Sequence, residues 1–490
     1  MNLIVNGFDA NEHLKMTEEF CDHCRAAYVC HIAEGVGLQD RPGRTIELLR
    51  PYEIGHGRYD LSVCAPLDEA TLEKLLPTEA IVLKMMDHLE PMFTYYAERR
   101  NLYLRHVQYW SDIIQTRSIS FFLSGIPHEV YDYVIYALCK IHGIPTLLLH
   151  QSQIVDVVHP MADLKIFTPE IPLIYEKLLR GQAMTPRSEF PLSPVMQREW
   201  DGQHQNVVPF YMKLDKKHTA FRKIGRRALT IASKFASRRG FQQIVSPSRW
   251  KLAVSNLFLT LQRWKENQRL LREYRARSVV PDLSKRYVYV PLQYQPEMTT
   301  CPMGGMYCDQ ELMVELLDRS LPNGVHIYVK EHPKQQAIGR TPSYYTKCLD
   351  RAPKTVFVSQ SVSSFELIRN ATAVATVSGT AGWEGLFREK PVLLFGYNFY
   401  QYAPGVYPVR TAEQCRKAIV SIFGGQFKYD AERLKMFLMA VDAVSIKGYW
   451  DLAYKVASSY TLEESNANIL AYMKSFTVGA LQRQGGDSAS

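Results

Sequence analysis

The stretch Thr376-Val-Ser-Gly-Thr-Ala-Gly-Trp-Glu-Gly-Leu-Phe387, continued by Arg-Glu-Lys-Pro-Val-Leu-Leu-Phe-Gly396, decides the fold class. An apolar strand ends near Thr376, small residues make a tight turn, and a helix runs over Ala381–Arg388. Apolar residues Pro391–Phe395 then form the next strand. A strand, turn, helix and strand at these lengths give parallel strands with the helix packed across them.

Working outward, the same alternation continues on the N-terminal side. It predicts strands at Tyr287–Val290, Val325–Val329, Thr355–Val358 and Ala373–Thr376, and helices at Asp309–Leu317 and Ser363–Arg369. The first half alternates less cleanly. Its apolar runs are Leu3–Val5, Leu61–Cys64, Ala80–Leu83, Ser118–Leu123, Thr146–Leu149 and Leu164–Phe167, with helices over Pro91–Gln115 and Glu129–Ile141. The expected fold is α/β, with two Rossmann-like domains facing across a cleft. The expected division is an N-terminal domain over 1–205, a basic helical insert over 206–284, a second Rossmann-like domain over 285–425, and C-terminal helices and tail over 426–490.

Composition narrows the class. The chain has 490 residues, 46% hydrophobic and 22% charged, which excludes disorder, collagen and coiled coil as descriptions of the whole. No run approaches the roughly 18–20 apolar residues that span a bilayer. Met1–Gly7 has no basic flank and no small-residue cleavage site, so it reads as a first strand rather than a signal peptide. The nine cysteines are an odd, scattered set, read as reduced cytosolic thiols. Cys21, Cys24 and Cys30 with His23 and His31 invite a zinc reading. No second Cys/His pair follows at finger spacing, so structural thiols are expected and no metal is called.

Charge is concentrated. Lys213–Arg277 holds 18 Lys/Arg against 3 acids, a net +15, so within the total of +9 the rest carries −6. Apolar residues recur there at helical spacing, which predicts amphipathic basic helices. Three readings stand: a face for an anionic membrane surface, a solvated helical linker, or a nucleic-acid grip. No nucleic-acid motif accompanies the charge, which makes that partner the least expected.

In open parallel sheets ligands bind beyond the strands' C-terminal ends. The Thr376 turn places Ser378, Gly379 and Thr380 at a helix start, where hydroxyls and free N–H groups suit a phosphate or simply cap the helix. Glu384, one turn on, is within reach of a ribose diol. Tyr328-Val-Lys-Glu-His-Pro333 leaves His332 on a strand-end rim with Lys330, Glu331 and Pro333. Val290-Pro-Leu-Gln-Tyr-Gln-Pro-Glu297 offers Gln293, Tyr294, Gln295 and Glu297 to a polyol or base. Val358-Ser-Gln-Ser-Val-Ser-Ser364 is a further hydroxyl-rich loop. In the first half, Phe122-Leu-Ser-Gly-Ile-Pro-His-Glu-Val-Tyr-Asp132 reads as strand, turn and helix, with Pro127 first in the helix. His128, Glu129 and Asp132 are its candidates for acid–base work, and His150 and Gln151 lie beyond the next strand.

Tyr-Val-Tyr-Val-Pro-Leu-Gln-Tyr-Gln-Pro-Glu, Val-Lys-Glu-His-Pro and Ser-Gly-Thr-Ala-Gly-Trp-Glu-Gly-Leu-Phe, in this order, resemble bacterial capsule and surface-polysaccharide biosynthesis glycosyltransferases. The nearest group is the two-Rossmann (GT-B) set that includes Kdo transferases. The resemblance covers Tyr287–Gly396 and a short piece of the first half, Ser-Gly-Ile-Pro-His-Glu with Asp-Tyr-Val-Ile-Tyr. It implies a second domain that binds a nucleotide-sugar donor through His332, Ser378 and Thr380, and a first domain on the acceptor side. The His-Pro pair is shared with transferases using CMP-activated acidic sugars, which tilts the donor towards CMP-Kdo or a relative. No bound cofactor is required, and no Asp-x-Asp-like metal loop occurs in the second half. The basic insert has no counterpart in the resemblance. A glycan or lipid-linked acceptor and a cytoplasmic location, peripheral to the inner face of the membrane, complete the expectation. The rivals are a nucleotide-sugar epimerase, a CDP-polyol phosphotransferase on the same plan, and a non-catalytic glycan- or nucleotide-binding module.

Overall fold

The computed structural model describes residues 1–89, 95–182, 191–205, 262, 264–295, 297–335, 337–340 and 343–487. Most of the basic stretch Lys213–Arg277 lies outside them. Two sheets organise the chain. The first holds β1 (Asn2–Asn6), β2 (Tyr28–Ile32), β3 (Thr45–Leu49), β4 (Phe121–Gly125), β5 (Thr146–Gln151) and β6 (Val157–Met161). The second holds β7 (Tyr287–Pro291), β8 (His326–Lys330), β9 (Thr355–Phe357), β10 (Ala373–Thr376), β11 (Val392–Leu394) and β12 (Val406–Pro408). A late strand, β13 (Ile446–Lys447), returns to the first sheet beside β6.

The strand orders are β13-β6-β5-β4-β1-β2-β3 and β12-β11-β10-β7-β8-β9. The second sheet is parallel throughout, and the first is parallel from β5 to β3 with antiparallel β6 and β13 at its edge. Each sheet starts at an inner strand, winds one way, then crosses back to wind the other. The reversal falls between β1 and β4 in one and between β7 and β10 in the other, and such switch points open a crevice at the strand ends. This is the two-Rossmann plan expected from the sequence.

Strands covered on both faces read as continuous apolar runs. Leu3, Ile4 and Val5 of β1 and Val392, Leu393 and Leu394 of β11 are fully buried. Three predicted strands are corrected. Ala80–Leu83 lies inside the helix Glu69–Leu89, where Ile81, Val82, Met85 and Met86 are buried at helical spacing. A short apolar run alone does not separate strand from buried helix. Leu61–Cys64 is a turn. Leu164–Phe167 is a turn closed by a bridge from Asp163 to Phe167, and the strand is β6 just before it. β2 escaped the reading because Cys30 and His31 interrupt the apolar pattern, and β3 because it is a part-exposed edge strand carrying Glu47. His31 is nonetheless fully buried, one ring nitrogen on Gly7 O at 3.0 Å and the other accepting from Leu38 N at 3.1 Å. Cys21 and Cys30 are core thiols, and burial pushes Cys21 up to about 12.

The chain crosses between halves. Residues 264–277 are helical and lay Leu270 and Tyr274 into the second domain's core. The helices Ala431–Val444 and Leu462–Asp487 return to pack on Glu170–Gln182 and Asn11–His23 of the first domain. Among the described residues no helix is long and apolar enough to cross a membrane.

Candidate functional site

Both switch points open onto one cleft of about 1950 Å³. From the first domain it is lined by the loop after β1 (Asn6 to Ala10), by Ser124–Asp132 after β4, and by His150 and Gln151. The second domain contributes Pro291–Tyr294, Glu297–Thr299, His332–Lys334, Ser378–Ala381 and Asn398.

After β4 the chain turns through Pro127, and the helix starts only at Val130 with Glu129 as its cap, so Pro127 precedes the helix instead of opening it. Asp132, in the first turn, is 1% exposed. Its Oδ2 accepts from His128 N at 3.2 Å and Asn6 Nδ2 at 3.5 Å, while Oδ1 has no partner. Burial raises this carboxyl to about 7, only partly opposed by His128. Burial also raises Glu129. His128 is exposed at the rim with Nδ1 on Ile126 O at 3.1 Å and Nε2 3.9 Å from Glu129. Burial disfavours its protonation, but Asp132, the Ile126 carbonyl and Glu129 outweigh this and raise its pKa. The three candidates of the first half therefore form one acid–base cluster.

On the facing wall, His332 sits 5.5 Å from the Tyr294 ring, and its Nδ1 accepts from Lys334 N at 3.3 Å. That fixes the proton of the neutral ring on Nε2. Burial lowers its pKa, opposed in part by Glu331 and aided by Arg340, so the neutral form prevails at pH 7. Gln293 bridges the switch point: Oε1 accepts from Ser378 N at 2.9 Å and Nε2 lies 3.5 Å from Ser378 Oγ.

Several predicted ligand contacts are turned inward. The Ser378 hydroxyl donates to Thr299 O and its N–H goes to Gln293, so it ties two loops together. Glu331 is buried in a two-pronged pair with Arg340, at 2.9 Å on each oxygen, and also takes Tyr345 Oη at 2.8 Å. Lys330 donates to Val362 O at 2.6 Å and Ser364 Oγ at 3.1 Å, because the loop after β9 offers acceptors alongside. The hydroxyl-rich loop thus serves Lys330. Glu384 does not line the cleft; buried next to Thr380 and Arg388, its carboxyl is raised to about 7 by that burial. Gln295 joins the Arg340 cluster at 2.8 Å. Gly379, Thr380 and Pro333 do line the cleft. A Cβ at Gly379 would meet Thr376 Oγ1 at 3.0 Å and Gln293 Nε2 at 3.1 Å, so the turn is packed to glycine's size.

Sequence reading missed Asn398 and Trp450. Asn398 is 5% exposed, donates Nδ2 to Ser378 O at 2.8 Å, and leaves Oδ1 without a partner. It follows β11, so the strand-end rule applied there would have found it. Trp450 arrives on the C-terminal return, which no local pattern announces. Among the described residues no group of three His, Cys, Asp or Glu could hold a metal ion.

Two winding domains with facing switch points and one shared cleft define a two-Rossmann protein built to hold a ligand between its halves. Residues 256–437 match the family model of capsule polysaccharide biosynthesis proteins, and over that stretch the resemblance read from the sequence holds. No curated protein sequence matches the chain. Among solved structures, the chain is similar to the β-Kdo 2,7 transferase KpsC of Thermosulfurimonas dismutans, at 11% identity over 96% of this chain and 99% of that one, TM-score 0.32. It is also similar to that organism's KpsC β-Kdo 2,4 transferase, at 13% over 66% and 79%, TM-score 0.29. A UDP-GlcNAc 2-epimerase from Neisseria meningitidis bound to UDP-GlcNAc is similar at 9% over 94% and 100%, TM-score 0.26.

Proposed function

We propose that the protein is a glycosyltransferase that moves a sugar from a nucleotide-sugar donor to a capsular or surface polysaccharide, or to its lipid-linked precursor. The donor is CMP-Kdo or a related CMP-activated sugar. The observation that carries the reading is the single cleft between two switch points, one of them within the capsule-family stretch.

The second domain, 285–425, holds the donor, with Gln293, His332, Pro333, Gly379 and Thr380 at the nucleotide and phosphate. The first domain, 1–205, presents the acceptor to His128, Glu129 and Asp132. In the transfer, the bond from the anomeric carbon to the phosphate oxygen breaks and its electron pair leaves with the nucleotide. An acceptor hydroxyl oxygen bonds to the anomeric carbon, and its proton passes to the Asp132–His128 pair. Neutral His332, through Nε2–H, donates to the phosphate as charge develops.

Incubation of the purified protein with a panel of nucleotide sugars tests this. Release of one nucleotide with formation of a glycoside is expected. An isomerised sugar or a phosphodiester would replace the reading with epimerisation or polyol-phosphate transfer, and nucleotide binding without turnover would leave a binding module.

A further inference from the structure

The wall of the cleft opposite the donor loops has an aromatic plate and carboxylates, with no Lys or Arg among its described lining residues. Trp450 lies on the segment that returns from the second domain to the first. Its backbone N–H donates to Gln151 Oε1 at 3.0 Å and its carbonyl meets His13 Nε2 at 2.9 Å, while the indole Nε1 is buried without a partner. The indole packs at a tilt of 33° against Phe8 with centroids 5.5 Å apart, and Trp450 lines the cleft. A Cβ at Gly125 would lie 2.7 Å from the indole Cη2, so the bare backbone at the end of β4 is what lets the ring sit there.

The segment is pinned a few residues further on. Asp156 is fully buried with φ of 67°, and its carboxylate takes Ser459 N at 3.2 Å, Ser459 Oγ at 2.5 Å and Arg198 at 2.7 Å. The plate is therefore fixed before any ligand arrives, which lowers the ordering cost of binding.

The same wall carries Asp9, Glu34, Glu129, Asp132 and Asp451, with His13, His56, His128 and His150 as the titratable bases. Arg50, which is not among the lining residues, gives Nη1 to the carbonyls of Ala33, Glu34 and Gly35. Among the described lining residues the only Lys or Arg is Lys334, on the second domain. Asp132 Oδ1, buried and unpartnered, is an acceptor waiting for a donor.

We infer that this wall is a subsite for an uncharged pyranose, whose C–H face lies on Trp450 and whose hydroxyls donate to the carboxylates, and that it turns away carboxylated sugars. An aromatic face with a few convergent acceptors suits a ring of C–H and O–H groups. A sugar carboxylate there meets the carboxylates of Asp9, Glu34 and Asp451 with no Lys or Arg among the described lining residues of this wall. The inference rests on the glycosyl-transfer reading and names the class of its acceptor.

The test is ligand-observed saturation-transfer NMR on the full chain with methyl β-D-glucopyranoside and methyl β-D-glucuronide, which differ only at C6. The glucopyranoside should bind at least roughly fivefold more tightly, about 1 kcal/mol. Trp450→Ala should abolish its signal while CMP binding by calorimetry persists. Gly125→Ala, which displaces the ring without deleting it, should do the same. Equal or tighter binding of the glucuronide, absence of binding by the glucopyranoside, or wild-type signal in both variants would overturn the subsite. Sugar binding without turnover of any nucleotide sugar would instead sink the transfer reading and leave the subsite standing.

Discussion

At Asp132 burial sets the chemistry. A carboxyl raised to about 7 is a base only above that pH, so turnover should climb through pH 7, and Asp132→Asn should flatten that limb and lower kcat by at least roughly tenfold. The stability sign is opposite. Between its ordinary 3.8 and about 7 the folded chain keeps a proton that the unfolded chain has released. This group's contribution to the fold is therefore full at low pH and lost as pH rises through 7. At pH 8 the Asn variant should melt no lower than wild type, and a drop in both activity and melting temperature would mark a structural role. His332 behaves differently, because its lowered pKa keeps it neutral and a donor through Nε2. His332→Ala should cost about tenfold in kcat at every pH from ~7 to ~9, since one hydrogen bond to a charged group is worth roughly 1.5–3 kcal/mol. Near-normal kinetics would remove it from the mechanism.

Loops become legible or illegible according to which partners the fold brings to them. The strand–turn–helix at Thr376 was readable because glycine and apolar spacing are local. That Ser378 spends its hydroxyl on Thr299 O was not, since the partner lies 79 residues away. Glu331 is the sharper case. Sequence puts it next to His332 and suggests a ligand contact, whereas Arg340 Nε and Nη2, Tyr345 Oη and His332 N all converge on it beneath the rim. Arg340 also donates to Gln295 Oε1 at 2.8 Å and Gln293 O at 3.2 Å, so the pair fastens the loops after β7 and β8 to each other. Glu331→Gln leaves a buried guanidinium without its counter-charge and should destabilise the protein by about 3–5 kcal/mol in urea denaturation. A loss under ~1 kcal/mol would mean that the pair is not what holds these loops.

Over the whole molecule, the second half was read almost strand for strand because each βα unit closes on itself. The first half is completed by a strand and helices from the far end of the chain, and by Trp450 with them, so this part of its cleft wall was invisible to any local pattern. His128, Glu129, Asp132, His150 and Gln151, by contrast, were legible at their strand ends. The charge asymmetry is the one global feature that composition alone reports. Of the stretch Lys213–Arg277, with its net +15, the described helix over 264–277 buries Leu270 and Tyr274 against the second domain and leaves Lys265, Arg269, Arg272 and Arg275 exposed. Their spacing of three and four residues sets them along one side of the helix. We propose that this stripe and the basic residues before it hold the enzyme against an anionic membrane surface, where a lipid-linked acceptor is concentrated. Attraction of about 1 kcal/mol per basic residue, screened over ~10 Å at 0.1 M salt, gives the prediction its form. The protein should sediment with anionic vesicles at low salt, release as salt rises, and bind neutral vesicles far less. Replacing Lys265, Arg269, Arg272 and Arg275 by Gln should weaken the anionic binding without lowering the melting temperature, because none of the four is buried in the core. Equal, negligible sedimentation with both vesicle types would leave the stretch as a bridge between the two halves.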